Sequence, residues 1–267
     1  DYQFYNCDDD LDVNGNDTAA NDDTDGITIF DFQNEIDQIA AAFLGTAGVM
    51  ISVHHTEADA DAGLNPIDPT TYSTYRNIVS PNQELLWVRV VSSLGNDCLA
   101  NGNFITLNVN PIPNIDTTLT LAPLCDDDTD IAMDDTNGFG VEFDLESLTN
   151  NIENLQPDFP TVPYNVTYHL SDAEALSGVN PQSSPFRNTA NNQTIYVRVV
   201  NTDTTCINPH MTFTLDVTPL PIVNFTGISL ASQCDNTDDG DDTNGTGVTF
   251  DLGSLRSDFE NLQPDFP

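Results

Sequence analysis

The sequence has no lysine, and its basic residues are five arginines: Arg76, Arg89, Arg187, Arg198 and Arg256. Against them stand 43 acidic residues, for a formal net charge of −38. A surface of that sign repels phosphate backbones and anionic lipid, which argues against nucleic acid as a partner. There is no run of 18 apolar residues, so no membrane-spanning helix is expected. No signal-peptide pattern opens the chain, and Asp1 is not a natural start, so a processed or partial chain is expected. No Cys-x-x-C pair occurs, which argues against a zinc or dithiol redox centre. No Ser-His-Asp or Cys-His set recurs along the chain, and no enzyme activity is expected from it. Trp87 is the one tryptophan, and it sits on a strand whose pattern reads as mostly buried.

High charge alone points to disorder. Here 38% of the residues are hydrophobic, and they fall in alternating runs, which predicts a folded protein. The chain also repeats itself. A cysteine followed by a dense acidic loop that ends in glycine begins at Cys7-Asp8-Asp9-Asp10, at Cys125-Asp126-Asp127-Asp128 and at Cys234-Asp235-Asn236. The loops end at Gly26, Gly138 and Gly245. Each runs into a similar apolar stretch: Ile29-Phe30-Asp31-Phe32, Val141-Glu142-Phe143-Asp144-Leu145 and Val248-Thr249-Phe250-Asp251-Leu252. The first two spacings, 118 and 109 residues, are too long for a solenoid repeat and fit whole domains.

Within a copy the order is constant. A helical patch (34–44 in the first copy, 147–155 in the second) precedes a strand at 49–53 or 164–168. Thr56 with Asp59, and Ser171 with Glu174, have capping-box spacing, and Gly63 and Gly178 stand where a helix C-cap belongs. An aromatic-Arg-Asn triplet follows (Tyr75-Arg76-Asn77, Phe186-Arg187-Asn188), then strong strands at 86–91 and 195–200. A loop with a second cysteine, Cys98 or Cys206, leads to an alternating last strand. Each copy ends at a Pro-x-Pro connector, 111–113 or 219–221, which stops a ladder and starts a stiff linker. Domains are therefore expected at 1–113 and 114–221, with an incomplete third copy at 222–267. Asp251 to Pro267 matches Asp144 to Pro160, including Asn-Leu-Gln-Pro-Asp-Phe-Pro in both, and the polypeptide is expected to continue past Pro267. Short alternating strands between turns predict an all-β protein: tandem immunoglobulin-like β-sandwiches with short helical crossovers.

The acidic loops carry the candidate chemistry. Asp10-x-Asp12-x-Asn14-Gly15 has the spacing that hard cations favour, and Asn21-x-Asp23-x-Asp25-Gly26 is close to it. With Asp8 these are the candidate ligands of the first copy. The second copy offers Asp126, Asp128, Asp130, Asp134, Asp135 and Asn137, and the third Asp235, Asp238, Asp239, Asp241, Asp242 and Asn244. Calcium fits such irregular oxygen sets, whereas magnesium demands a strict octahedron. A solvated acidic loop is the alternative.

The five cysteines fit a disulfide framework in an oxidising compartment. Pairing within copies, Cys7–Cys98 and Cys125–Cys206, is preferred, with the partner of Cys234 beyond the chain end. Pairing across copies, Cys98–Cys125 and Cys206–Cys234, is the alternative. The preference rests on the immunoglobulin-like topology, which puts the first two cysteines of one copy at one pole. His54 and His169 are repeat-equivalent strand-end histidines and read as structural. Each arginine is expected to pair locally with an acidic side chain.

The combined order of Cys-Asp-Asp-Asp, Phe-Asp-Leu, Tyr-His, Ala-Glu-Ala, Asn-Pro, Ile-Tyr-Val-Arg-Val and Pro-Leu-Pro resembles repeats of large Bacteroidota cell-surface proteins, among them giant gliding-motility adhesins exported by the type IX secretion system. The resemblance implies an extracellular, cell-surface filament in which neighbouring repeats are partners. It also implies O-glycosylation at Asp-Thr-x sites, here Thr18, Thr117 and Thr204. The expected function is thus a non-enzymatic, calcium-stabilised structural segment of a surface adhesin. A glycan-binding module, or a spacer in a secreted hydrolase, is the alternative.

Overall fold

The computed structural model describes residues 1–16, 24–42, 48–92, 99–127, 137–221, 226 and 228–263. The chain forms two compact units. One comprises 1–121, 144–185 and 194–214; the other comprises 122–143, 186–193 and 215–267. The second sequence copy is therefore divided between them.

The first unit is built on a four-stranded sheet in the order β1-β6-β5-β3: β1 (Tyr2–Cys7), β6 (Leu99–Asn110), β5 (Gln83–Ser92) and β3 (Val49–His54). β5 shows why the strand forms. Leu86, Val88 and Val90 point inward at alternate positions and are buried, while Leu85, just before them on the opposite face, is exposed. β5 runs antiparallel to both neighbours. β1 lies parallel to β6, with Tyr2 opposite Ile105 and Cys7 opposite Asn110. This entry strand precedes the acidic loop and carries no strong local signal of its own.

Short β2 (Ile29–Phe30) pairs with β4 (Tyr75–Arg76). Helix α1 (Gln33–Ala42) begins after Asp31, whose side chain accepts from the Gln33 amide at 3.1 Å, and it buries Ile36. The core joins Phe30, Phe32 and Ile36 to Val53, Tyr72, Tyr75, Leu86, Ile105 and Leu107. Each such fully buried side chain stabilises by about 1.5–3 kcal/mol relative to exposure.

Helix α2 (Glu57–Ala62) is stopped at both ends as its sequence implies. The Thr56 hydroxyl accepts from the Asp59 amide, and Gly63 takes the left-handed conformation. The second copy repeats this in α4 (Asp172–Ser177), with Ser171 accepting from the Glu174 amide and Gly178 left-handed. Around it, β9 (Tyr164–His169), β11 (Gln193–Asn201) and β12 (Ile207–Leu215) form a three-stranded sheet in the order β12-β11-β9.

The second unit holds two short ladders. β7 (Leu124–Cys125) lies parallel to β13 (Val217–Thr218), and β8 (Glu142–Phe143) lies antiparallel to β10 (Phe186–Arg187). The third copy contributes a 3₁₀ turn at Leu252–Leu255 and a helix at Arg256–Glu260. Its Phe250 and Leu252 are 47% and 69% exposed, so this part has not assembled a core. The protein is β-rich, with strands in several separate sheets, and among the described residues they close no barrel. Among the described residues no helix is long and apolar enough to cross a membrane.

Candidate functional site

The first two copies are each entered by a short parallel ladder. Beyond Cys7, the Asp8 amide donates to the Asn110 carbonyl at 2.9 Å; beyond Cys125, the Asp126 amide donates to the Thr218 carbonyl at 2.8 Å. That backbone fixes the aspartate that follows the cysteine. Asp8 Oδ2 accepts from the Gly26 amide at 3.0 Å, Asp126 Oδ2 from the Gly138 amide at 2.6 Å, and Asp235 Oδ2 from the Gly245 amide at 2.7 Å. The first aspartate of every acidic loop is therefore a clasp that closes the loop on its terminal glycine. The residue before that glycine completes it: Asp25, Asn137 and Asn244 each accept, through Oδ1, from the amide two residues on. Gly26 has a φ of +76°, and a Cβ there would come 2.5 Å from Asn82 Oδ1, so the close approach requires glycine.

The asparagine of the aromatic-Arg-Asn triplet, to which the sequence assigns no role, locks the clasp from below. Asn77 is fully buried; its Oδ1 accepts from the Thr28 amide and its Nδ2 donates to the Gly26 carbonyl, both at 2.9 Å. Asn188 does the same with the Val141 amide and the Gly138 carbonyl, again at 2.9 Å. Its recurrence in both copies was the available signal.

The arginines divide by role. Arg76 makes a two-pronged ion pair with Asp9, at 2.8 and 3.0 Å, and also donates to the Leu11 and Asp12 carbonyls, which holds the first loop against β4. Arg187 pairs with Glu142 at 3.4 Å, and Arg256 with Glu260. Arg89 donates to the Ala60 and Asp61 carbonyls, and Arg198 to those of Ala175 and Leu176. These two cap the C-terminal ends of α2 and α4, where a cation complements the orphan carbonyls.

His54 and His169 are wholly buried. Nδ1 of His54 donates to the Leu64 carbonyl at 2.7 Å, and its Nε2 accepts from the Ser52 hydroxyl at 2.8 Å. His169 repeats this with Val179 and Thr167, both at 2.9 Å. Both ring nitrogens are satisfied as a neutral tautomer, so these are structural histidines. His55 differs: its Nδ1 lies 2.8 Å from Oε1 of buried Glu84, whose Oε2 accepts from the Tyr75 hydroxyl at 2.8 Å. Burial, and then the Glu84 carboxylate, push the Tyr75 phenol well up.

The candidate cation ligands are distributed as follows. Asp8 is 8% exposed; its Oδ1 is buried and has no partner, as is Oδ2 of Asp25. Burial pushes the Asp8 carboxyl up to about 7, the Gly26 amide lowers it, and the charge of Asp25 raises it again. Asp12 Oδ1 accepts from the Asn14 and Asn16 amides at 2.9 and 2.8 Å, and these bonds, the Asn16 amide first, hold its carboxyl below the usual range. Asp10 and Asn14 are exposed. In the third loop Asp238, Asp239, Asp241, Asp242 and Asn244 are exposed. There Asp239 accepts from the Thr246 hydroxyl and Asn244, and Asp241 from Thr243. Among the described residues no group of three or more His, Cys, Asp or Glu side chains is arranged to hold a metal ion. Asp23, Asp128, Asp130, Asp134 and Asp135 lie outside the described residues, as does Thr18. Thr117 is exposed, and Thr204 is half-buried.

The cysteine pairing differs from the expectation. Cys7 is bonded to Cys206, 199 residues away, with Cα atoms 5.5 Å apart. Neither Cys7–Cys98 nor Cys125–Cys206 forms, and Cys125 and Cys234 are exposed free thiols. The reason is the parallel β1–β6 pair. It puts Cys7 beside Asn110, at the exit end of the last strand. Leu99, which follows Cys98, begins that same strand at the other end. Twelve residues of strand separate the two ends by about 35 Å, far beyond the roughly 7 Å that a disulfide spans. Cys98 itself lies outside the described residues. Cys206 Sγ sits 3.9 Å from the Asn110 carbonyl, so the bridge closes where the first copy ends. The connector there is also held by hydrogen bonds. Asn208 donates to the Pro113 carbonyl at 3.0 Å, and Gln156 exchanges bonds with the backbone of Asn114 at 2.8 and 2.9 Å. Gln156 belongs to the recurrent Asn-Leu-Gln-Pro-Asp-Phe-Pro segment, which gives that recurrence a use.

Residues 3–113 and 122–221 each match the Flavobacterium inter-domain disulphide bond domain. The chain belongs to that family. The family's domain thus occurs twice, and the Cys7–Cys206 bond joins the first matched stretch to the second. No curated protein matches the chain.

Proposed function

We propose that this chain is a non-enzymatic structural segment of an extracellular, cell-surface adhesin or filament, in which successive immunoglobulin-like sandwiches are stapled to one another and stiffened by calcium. The observation that carries the reading is the bridge between copies. A disulfide that closes a loop of about 200 residues removes on the order of 5 kcal/mol of chain entropy from the unfolded state in the loop-entropy model. It also ties two domains together under load. Disulfides persist in oxidising compartments, which supports a place outside the cell. Supporting the mechanical reading are the satisfied, buried His54 and His169 and the clasp that recurs in all three loops. The separate sheets and the first strand laid beside the last support the sandwich.

The test is brief protease treatment of intact cells, followed by detection of this segment. The expected result is release or loss of the segment while the cells stay whole. Full protection in whole cells, with cleavage only after lysis, contradicts the reading.

A further inference from the structure

The three clasps share the bond to the glycine and the bond to the amide two residues beyond the Asp or Asn, and they differ at two points. Asp126 Oδ1 and Asp235 Oδ1 each accept from the next amide, at 3.0 and 2.9 Å, whereas Asp8 Oδ1 has no partner. In the first copy the residue before the glycine is Asp25; in the second and third it is Asn137 and Asn244. The first clasp therefore places two carboxylates round one glycine. Asp8 Oδ2 is held by the Gly26 amide, and Asp25 Oδ1 by the Ile27 amide at 2.7 Å. The remaining oxygens, Asp8 Oδ1 and Asp25 Oδ2, are both buried and both without a partner. Asp8 as a whole is 8% exposed. Two buried like charges with orphan oxygens are unfavourable unless something positive lies between them. The Arg76 guanidinium pairs through its two terminal nitrogens with Asp9, and its buried Nε has no partner.

We propose that the Asp8–Asp25 clasp of the first copy binds one divalent hard cation, calcium by its tolerance of irregular oxygen ligands, and that the second and third clasps dispense with the ion because asparagine replaces Asp25 and a backbone amide takes the oxygen that Asp8 leaves open. This rests on the calcium reading above and confines it to one place. A divalent ion neutralises both carboxylates and takes both orphan oxygens, while the two amide bonds that shape the loop stay in place; water completes its shell. An asparagine at the same position keeps the bond to the amide two residues on and removes one charge, so the loop closes without an ion. The clasp adjoins Cys7, so the ion also holds the entry to the bridge between copies. A proton shared by the two carboxylates is the competing occupant.

The full chain, stripped of metal, is titrated with calcium chloride, and separately with magnesium chloride, by calorimetry, with thermal melts alongside. The expected result is one calcium per chain and a melting temperature raised by about 5 °C at saturating calcium. Asp25→Asn folds, since its residue is the one the other copies use, and it loses both the ion and the shift. If Asp25→Asn keeps the calcium response, the ion lies in another loop: this site is overturned and the broader calcium reading stands. If no variant responds to calcium while acid stabilises the wild type, a proton fills the clasp, and both readings fall.

Discussion

The first and second copies place the same side chains on the same backbone groups, yet their charges differ. Asn77 and Asn188, His54 and His169, and Arg89 and Arg198 make matching bonds to backbone carbonyls and amides. The buried charged network is not matched. The first copy buries Glu84 among His55 and Tyr75; at the equivalent positions the second copy has Gln193, Leu170 and Phe186. Arg76 and Asp9 are largely withdrawn from solvent, at 11% and 23% exposure, whereas Arg187 and Glu142 are about half exposed. Side chain to backbone bonds thus define the domain, because they satisfy groups that every copy buries. Charge pairs are additions, because a hydrophobic or neutral polar set fills the same space at no greater cost.

The largest expected break in the comparison comes from the Asp8 carboxyl, a group whose ordinary value of 3.8 is raised to about 7. The folded state then holds a proton that the unfolded chain has released, so stability is present at low pH and declines as pH rises from about 4 to about 7. The decline is at most about 4 kcal/mol, and solvent screening of the carboxyl lowers it. Denaturant titrations in chelator at pH 4.5 and 7.5 measure it. Asp25→Asn reduces the decline without removing it, since burial is the larger cause. A chain equally stable at both values contradicts the assignment.

Next in size is the shared lock. Asn77→Ala and Asn188→Ala each leave a buried amide and carbonyl unpaired, and each is expected to cost about 3 kcal/mol. Urea midpoints check this; a large loss from one substitution and none from the other would show that the copies are not built alike.

The smallest effect is expected from giving the first copy the second copy's residues. His55→Leu, Tyr75→Phe and Glu84→Gln together change stability by less than about 1 kcal/mol. Tyr75→Phe alone costs about 1–2 kcal/mol, because the buried Glu84 loses a hydrogen-bond donor. If the triple variant is as destabilised as the single one, the network is part of the domain and not an addition.

What the sequence made legible was local. The capping residues Thr56 and Ser171 and the glycines after each helix lie within a few positions of the groups they serve, so spacing alone reveals them. The alternation in β5 reveals a strand for the same reason, and recurrence exposed His54 and His169 as a structural pair. The cysteine pairing was hidden because it depends on β1 lying parallel to β6 across about 100 residues, and no local pattern records the direction of a partner strand. The work of Asn77 and the division between Asp25 and Asn137 were hidden for a related reason. An Asp and an Asn before glycine make the same turn, and the difference appears once the neighbouring carboxylate of Asp8 is in place.

The central claim is that the two domains are joined through Cys7 and Cys206, and peptide mapping of the alkylated, unreduced protein by mass spectrometry tests it most directly. The expected result is a linked peptide pair containing Cys7 and Cys206, with Cys125 and Cys234 alkylated as free thiols. A Cys7–Cys98 pair, with Cys206 alkylated or joined to Cys125, would contradict it.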